Sequence, residues 1–221
     1  NKVGVKYHKE MHDLDSKQNK MRQIGTANTV MIMSQYDLLP TRNFQTGGDP
    51  ETIKISPQVF IDEWLTQGLH DGCWYGCTMS CAKCADHFLL TSGPYAGERV
   101  TVDGPEYECV AGLCANLGIF DPQAILEENF YCDTYGIDLI SFATCTAFIM
   151  ECYQRGQITQ EQMGGLDLRF GNKDAVLELL HQMSRGEGFG KLAGLGTRKL
   201  KKIFVEEFGA DPALLEDIGM E

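Results

Sequence analysis

The stretch DPQAILEENFYCDTYGIDLISFATCTAFIMECYQRG, residues 121–156, decides the fold of this chain. It opens with an aspartate and a proline, a pair typical of a helix start, and the apolar positions that follow share one helical face up to Gly136. A second helix is predicted from about Asp138 to Gly156. Because that helix is nearly apolar all round, we expect it to lie at the centre of a helical domain.

Most of the remaining sequence also has the apolar spacing of helices, with one exception. Residues 99–102 are rich in β-branched side chains, and the Asp-Gly pair that follows them is a turn signal. We therefore predict a mainly α, multihelical domain with one short β-hairpin-like segment near residues 97–108. Residues 1–24 are expected to form a lead-in segment, and residues 25–221 the helical domain.

The composition is that of an ordinary soluble protein, with 221 residues, 43% of them hydrophobic and 23% charged. No uncharged stretch is long enough to cross a bilayer, so no membrane partner is expected. The 19 basic and 31 acidic side chains give a net charge of −12, which argues against nucleic acid as a partner, because nucleic acids bind basic surfaces. Since the chain starts at Asn1 without a visible signal peptide, it is interpreted as a fragment of a longer protein.

The nine cysteines include a close group of four, namely Cys73, Cys77, Cys81 and Cys84. Their odd total without a signal sequence argues against a secreted disulfide framework and favours a reducing, cytoplasmic location. The gaps of three, three and two residues fit a zinc ribbon poorly, because zinc ribbons use two separated pairs. An iron–sulfur cluster is the favoured interpretation, and functionless buried thiols are the alternative. The other cysteines, such as Cys109, are expected to be small buried hydrophobes.

The junction between the two predicted helices, residues 132–141, has two interpretations. Gly136 can end the first helix in a left-handed conformation and Asp138 can cap the second, which is a complete structural explanation. Alternatively, the carboxylates of Asp133 and Asp138, together with backbone N–H groups at a helix start, form a polar pocket. Such a pocket suits a heterocycle that carries N–H donors and a phosphate.

A second acidic motif lies in the hairpin-like segment, at residues 104–108. If this motif is extended, Glu106 and Glu108 point to one face and Tyr107 to the other. Two carboxylates on one face can transfer protons, and the alternative is a solvated strand edge.

Several motifs occur together in a fixed order along the chain. They are LPTRNF at 39–44, YGCTMSC at 75–81, GPEYE at 104–108, CDTYGIDLIS at 132–141, FGN at 170–172 and RGEGFG at 185–190. In this order they closely resemble the middle part of the tungsten-dependent aldehyde ferredoxin oxidoreductase family. The resemblance extends over most of the chain, from about residue 25 to residue 196.

The resemblance implies a cofactor set, a reaction and a larger subunit. Enzymes of this family hold a bis-pterin tungsten (or molybdenum) cofactor beside one [4Fe–4S] cluster, oxidise aldehydes to carboxylic acids and pass the electrons singly to ferredoxin. Their subunit has an N-terminal β-rich domain and two helical domains. By resemblance, this chain corresponds to the first helical domain, without the β-rich domain that precedes it and the helical domain that follows it.

The resemblance also assigns the cysteines, with one departure. Cys77 and Cys81 match two of the three closely spaced cluster ligands, and Cys73 is the expected third, in an iron–sulfur loop at residues 73–84. The gap after Cys73 is three residues, whereas the family has two. Because the family's fourth ligand lies in the last domain, Cys84 is either a local fourth ligand or an extra thiol.

The two acidic motifs match the family's pterin and metal sites. Asp133, Gly136 and Asp138 match an Asp-x-x-Gly-x-Asp motif that contacts the pterin, so residues 132–141 are the expected pterin-binding junction. Glu108 matches a glutamate near the metal that takes part in proton transfer. Glu106 is the other candidate for this role within the chain.

Two other functions remain open from the sequence. Some relatives reduce aromatic acyl-thioesters instead, although the presence of Glu108 favours aldehydes. An iron–sulfur module that relays electrons or binds a partner, without pterin chemistry, is the alternative from another class.

Overall fold

The computed structural model describes residues 2–18, 20–65, 72–74 and 77–219. These residues form eleven α-helices and one two-stranded sheet, which confirms the prediction of a mainly α domain. The elements are α1 (Lys2–Asp15), α2 (Met21–Ile24), α3 (Thr29–Gln35), α4 (Pro57–Glu63), β1 (Cys84–Leu89), β2 (Arg99–Asp103), α5 (Tyr107–Cys109), α6 (Pro122–Tyr135), α7 (Leu139–Gln154), α8 (Lys173–Arg185), α9 (Gly188–Ala193), α10 (Thr197–Glu206) and α11 (Pro212–Ile218). Short 3-10 helices cover Thr26–Asn28, Pro50–Ile55 and Ala115–Leu117, and a π-helix covers Val110–Cys114.

Helix α7 lies at the centre, as its sequence predicts. Ten of its sixteen residues are buried, from Phe142 to Cys152 along the helix. The ring of Phe148 is 1% exposed and stacks on the ring of Phe204 in α10, with 5.9 Å between the ring centroids. The main core therefore forms where α7 meets the helices on either side of it.

The ends of α6 and α7 are defined by local caps. Asp121 Oδ1 accepts the backbone N–H of Gln123 at 3.0 Å, with Pro122 at the first helical position. Helix α6 ends at Gly136, whose φ of +66° is a left-handed conformation that glycine adopts without strain. Asp138 Oδ1 then accepts the N–H of Ser141 at 2.7 Å and starts α7. Both predicted helices are confirmed because each carries its own start and stop signals.

The hairpin prediction is confirmed, but its geometry differs from the expectation at residues 104–108. Strand β2 pairs antiparallel with β1, a partner strand that the sequence analysis did not identify. The pairing ends at Asp103, because Pro105 has no N–H to continue the ladder. Tyr107 N then donates to Thr26 Oγ1 at 2.9 Å and the chain turns into a helix. The expectation that Glu106 and Glu108 share one face of an extended segment is wrong, since Glu106 caps α5 and Glu108 lies in its first turn.

The lead-in segment forms two helices that one buried carboxylate joins. Asp15 is 6% exposed, and its two oxygens accept the backbone N–H groups of Met21 and Arg22, each at 3.0 Å. These bonds satisfy donors at the start of α2 that have no partner within the helix. The boundary at residue 24 between this segment and the helical domain stays a prediction.

The described part of the chain contains no single helix that has both the length and the apolar character to cross a membrane. One pair of segments, Tyr107–Leu117 and Pro122–Tyr135, meets that test by length and composition only when the two are joined, and they are bent by 116°.

The central position of α7 is testable by substitution. Phe148→Ala is expected to lower the free energy of unfolding by about 3–5 kcal/mol, because it leaves a cavity beside Phe204. Tyr36→Ala is the control, since Tyr36 is 72% exposed, and it is expected to change stability by less than about 0.5 kcal/mol. Urea denaturation followed by circular dichroism measures both. Equal effects of the two substitutions would contradict a central α7.

Candidate active site

A cavity of about 420 Å³ opens where the end of β2, the start of α5 and the α6–α7 junction meet. Its lining contains five carboxylates, namely Asp103, Glu106, Glu108, Asp133 and Asp138. Four of these are candidate residues that the sequence analysis found in two separate motifs. The fold brings both motifs to one cavity, although they are about thirty residues apart in the chain.

Two residues that sequence reasoning missed hold this cavity together. The amide of Asn129, on α6, donates to the backbone carbonyl of Asp103 and accepts the thiol of Cys109 at 3.3 Å. The backbone N–H of Glu106 donates to the same sulfur at 3.4 Å. Burial raises the pKa of Cys109 to about 12, so its thiol keeps its proton near neutral pH and can donate. No local pattern marks this role, because it depends on contacts between separate segments.

The carboxylates of the cavity differ in proton affinity. Partial burial, followed by the negative charges of Glu108 and Asp103, raises the pKa of Glu106. Partial burial and the charge of Asp103 raise the pKa of Asp133 in the same way. The N–H and side chain of Ser141 lower the pKa of Asp138, which therefore stays ionised. An arrangement of this kind can accept hydrogen bonds from a bound ligand and can also move a proton.

The predicted pterin-binding junction is the wall of the cavity formed by the end of α6 and the start of α7. Within the described residues, the exposed carboxylate of Asp133 makes no side-chain hydrogen bond and is available to a ligand. Asp138 uses Oδ1 to cap α7, and its side chain lines the same cavity. No atom lies within 4 Å of the place where a Cβ on Gly136 would stand, so the turn conformation accounts for this glycine.

The cysteine loop adjoins the cavity. Backbone N–H groups of Ser80 and Met79 lower the pKa of Cys77, and the Cys73 thiol bonds to it as well. Burial and then the charge of Glu106 raise the pKa of Cys81. N–H groups directed at the Cys77 sulfur favour its thiolate, the form that binds metal. Cysteine is the residue that holds iron–sulfur clusters, so the chemistry of these donors fits one.

The cluster itself remains a prediction. In the described ranges, three or more potential metal ligands do not come together closely enough to hold a metal ion. Two residues of the first predicted gap, Tyr75 and Gly76, lie outside those ranges. Cys84 lies in β1, where it pairs with Asp103.

Two backbone contacts join the cysteine loop to the acidic cavity. Cys84 and Asp103 are partners in the sheet, and Gly104 N donates to the carbonyl of Lys83 at 2.6 Å. The segment that follows the cysteine loop therefore lies beside the segment that carries Glu106 and Glu108.

Comparisons with known proteins identify relatives over most of the chain. A protein-family profile described as "Aldehyde ferredoxin oxidoreductase, domains 2 & 3" matches residues 2–219. The chain is 37% identical over 183 residues to the "Tungsten-containing aldehyde ferredoxin oxidoreductase" of Pyrococcus horikoshii and 34% identical over 181 residues to that of Pyrococcus furiosus. Each alignment covers 81% of this chain and 28% of the relative. The chain thus spans little more than a quarter of the length of these relatives.

A further relative is named for a different class of substrate. The "Aliphatic sulfonate oxidoreductase, WOR-like subunit" of Pyrococcus furiosus is 36% identical over 137 residues, which is 62% of this chain and 21% of that protein.

The raised pKa values predict how the stability of the cofactor-free chain depends on pH. A carboxyl whose pKa is higher in the folded state destabilises that state once the pH rises above its ordinary range. Glu106→Gln is therefore expected to raise the free energy of unfolding at pH 7 by less than about 1 kcal/mol, because the group is partly exposed and solvent screens its charge. At about pH 3 the difference should vanish, since the carboxyl is then protonated in both states. Urea unfolding at both pH values measures it.

Asp138→Ala is the matched variant with the opposite sign. The pKa of Asp138 is lowered, so its stabilisation is present at neutral pH and is lost as the pH falls through the carboxyl range. Removing this cap is expected to cost about 0.5–2 kcal/mol at pH 7. If both substitutions shift stability in the same direction at pH 7, the described electrostatics of the cavity are wrong.

Proposed function

The chain belongs to the aldehyde ferredoxin oxidoreductase family, and from this premise we propose that it is the part of a larger oxidoreductase subunit that holds one side of a tungsten–pterin (or molybdenum–pterin) cofactor and most of a [4Fe–4S] cluster. The reaction proposed for the whole subunit is the oxidation of an aldehyde to a carboxylic acid, with ferredoxin as the electron acceptor. One observation carries the proposal: two acidic motifs line one cavity, and that cavity adjoins the cysteine loop.

Asp133 and Asp138 are proposed to bind the pterin. Amino-pterins carry several N–H donors, and carboxylate acceptors make charge-assisted bonds to them that are stronger than neutral ones. Asp133 suits this role because its carboxylate has no partner among the described residues, and Asp138 because it remains ionised. Gly136 gives the turn that directs both carboxylates to the same cavity.

Cys73, Cys77 and Cys81 are proposed as cluster ligands. The N–H groups directed at Cys77 favour its thiolate. Cys81 lies near enough to Glu106 and Cys77 that their negative charges raise its pKa. The fourth ligand is either Cys84 or a cysteine in the missing part of the subunit.

Glu108 is proposed as the base of the reaction. Conversion of an aldehyde and one water molecule to a carboxylic acid releases two protons and two electrons. When bound, the tungsten–pterin cofactor supplies the two-electron oxidation chemistry. Glu108 lines the cavity. In this proposal it takes a proton from the oxygen that derives from water, and the electrons leave singly toward ferredoxin. Glu106 lies beside it and, with its raised pKa, is the competing base.

The remaining parts of the active unit are proposed to come from outside this chain. The matched region is only 28% of the length of the relatives, so an N-terminal β-rich domain and a further helical domain of the same subunit would cover the cavity and the cluster. Ferredoxin and a small aldehyde are the proposed external partners.

The alternative functions determine which substrates and metals must be tested. The relative named for aliphatic sulfonates and the aromatic acyl-thioester alternative both keep the cofactors and change the substrate, so the substrate panel should contain all three compound classes. An electron-relay module would contain iron alone. Metal analysis of the full-length subunit tests the proposal: tungsten or molybdenum together with iron supports it, and iron alone contradicts it.

Substitutions should separate the two cofactors. Cys77→Ser in the full-length subunit is expected to abolish the low-temperature EPR signal of the reduced cluster, because one thiolate ligand is lost. Asp133→Ala is expected to lower tungsten and pterin content while iron is retained, since an unpaired buried pterin donor costs roughly 1–3 kcal/mol. An unchanged cluster signal in the first variant, or full tungsten occupancy in the second, overturns the corresponding assignment.

The proton-transfer role is tested by a matched pair of variants, one at each glutamate of the motif. Glu108→Gln is expected to lower kcat by roughly 10²–10⁴, the range for the loss of a positioned base, with normal tungsten and iron content. Glu106→Gln is the control and should keep most of the activity. Full activity in Glu108→Gln with normal metal content refutes the role, and loss of activity in Glu106→Gln alone moves it to Glu106.

A further inference from the structure

Lys83 is a buried cation inside the cysteine loop. Its relative exposure is 6%, and it lies between Cys81 and Cys84 in the chain. The ammonium donates to the carbonyl oxygens of Ala82 at 2.8 Å and Ser80 at 3.4 Å. Both acceptors are neutral, and none of the described carboxylates forms an ion pair with Lys83.

A charge in this position requires compensation. Removing an ammonium from water is costly unless it is paired with an anion, and lysine is rarely fully buried without a partner. Asp15 is close enough to affect Lys83, but its two oxygens already accept the N–H groups of Met21 and Arg22. Arg22 adds a further positive charge nearby. Burial lowers the pKa of Lys83, and the sulfur atoms of Cys81 and Cys84, which are negative as thiolates, oppose that shift.

The position of the ammonium is constrained by the fold. Its two carbonyl partners belong to the cysteine loop itself, and its own backbone carbonyl accepts the N–H of Gly104. The stem of Lys83 passes Gly25, where a Cβ would lie 3.0 Å from the Lys83 Cγ. These contacts hold the side chain of Lys83 within the cysteine loop.

We propose that Lys83 is the buried counter-ion of the iron–sulfur cluster and raises the reduction potential of that cluster. This inference rests on the proposed function, because it requires a cluster on Cys73, Cys77 and Cys81. Reduction adds one electron to a thiolate-ligated cluster, and a fixed cation beside the ligands stabilises the reduced form more than the oxidised form. Lys83 is a positioning residue in this scheme: it tunes electron transfer and does not touch the substrate.

The test is an EPR-monitored redox titration of the full-length holoenzyme. Lys83→Met is expected to lower the ratio of reduced to oxidised cluster at a fixed potential about tenfold, which is about 59 mV for one electron. Lys83→Arg keeps the charge and should retain the potential of the unmodified enzyme. Lys201→Met is the control for loss of a buried lysine, because Lys201 is also buried, at 8% exposure, but contacts the carbonyl of Gly219 and the carboxylate of Glu216 instead of the cysteine loop.

Each outcome bears on one proposal. Absence of iron from the unmodified enzyme refutes the proposed function itself. A cluster whose potential is the same in Lys83→Met and in the unmodified enzyme refutes only the role of Lys83. If Lys83→Met loses its cluster while Lys83→Arg and Lys201→Met retain theirs, the need for the charge is supported. If Lys83→Arg also loses the cluster, the charge is not what matters and the proposal is overturned.

Discussion

The side-chain amide of Asn129 holds together the segments on which the candidate active site depends. It is 3% exposed on α6 and contacts both the end of β2, through the carbonyl of Asp103, and the start of α5, through Cys109. A buried amide must satisfy its donors and acceptors, so this geometry is strongly preferred once α6 is in place. Glu106 and Glu108 reach the cavity because the chain between β2 and α5 is fixed at this point.

The acidic cavity is a compromise between stability and function. Carboxylates that face one another and are partly removed from water disfavour the folded state when ionised, as the raised pKa values of Glu106 and Asp133 indicate. A ligand that presents N–H donors removes much of this cost by pairing with them. The same residues that destabilise the empty chain are therefore well suited to bind an amino-pterin and to accept a proton.

The buried cation in the cysteine loop complements this acidic side. Lys83 and the cavity are joined through the bond from Gly104 to the Lys83 carbonyl and through the pairing of Cys84 with Asp103. The strand that follows the cysteines thus places a positive charge near the proposed cluster and negative charges near the proposed pterin. Such a separation of charge fits the proposed transfer of electrons on one side and of protons on the other.

The helices α6 and α7 could be predicted from sequence alone, because Asp121, Gly136 and Asp138 are local signals that act through neighbouring backbone groups. The identity of the candidate site residues also came from sequence, through motifs in a fixed order. Their geometry did not, since the chain leaves the strand before Pro105, so that Glu106 caps α5 and Glu108 lies in its first turn. The shared cavity, the role of Asn129 and the burial of Lys83 depend on contacts between residues twenty or more positions apart or on solvent exclusion by the whole fold, and only the tertiary structure decides those.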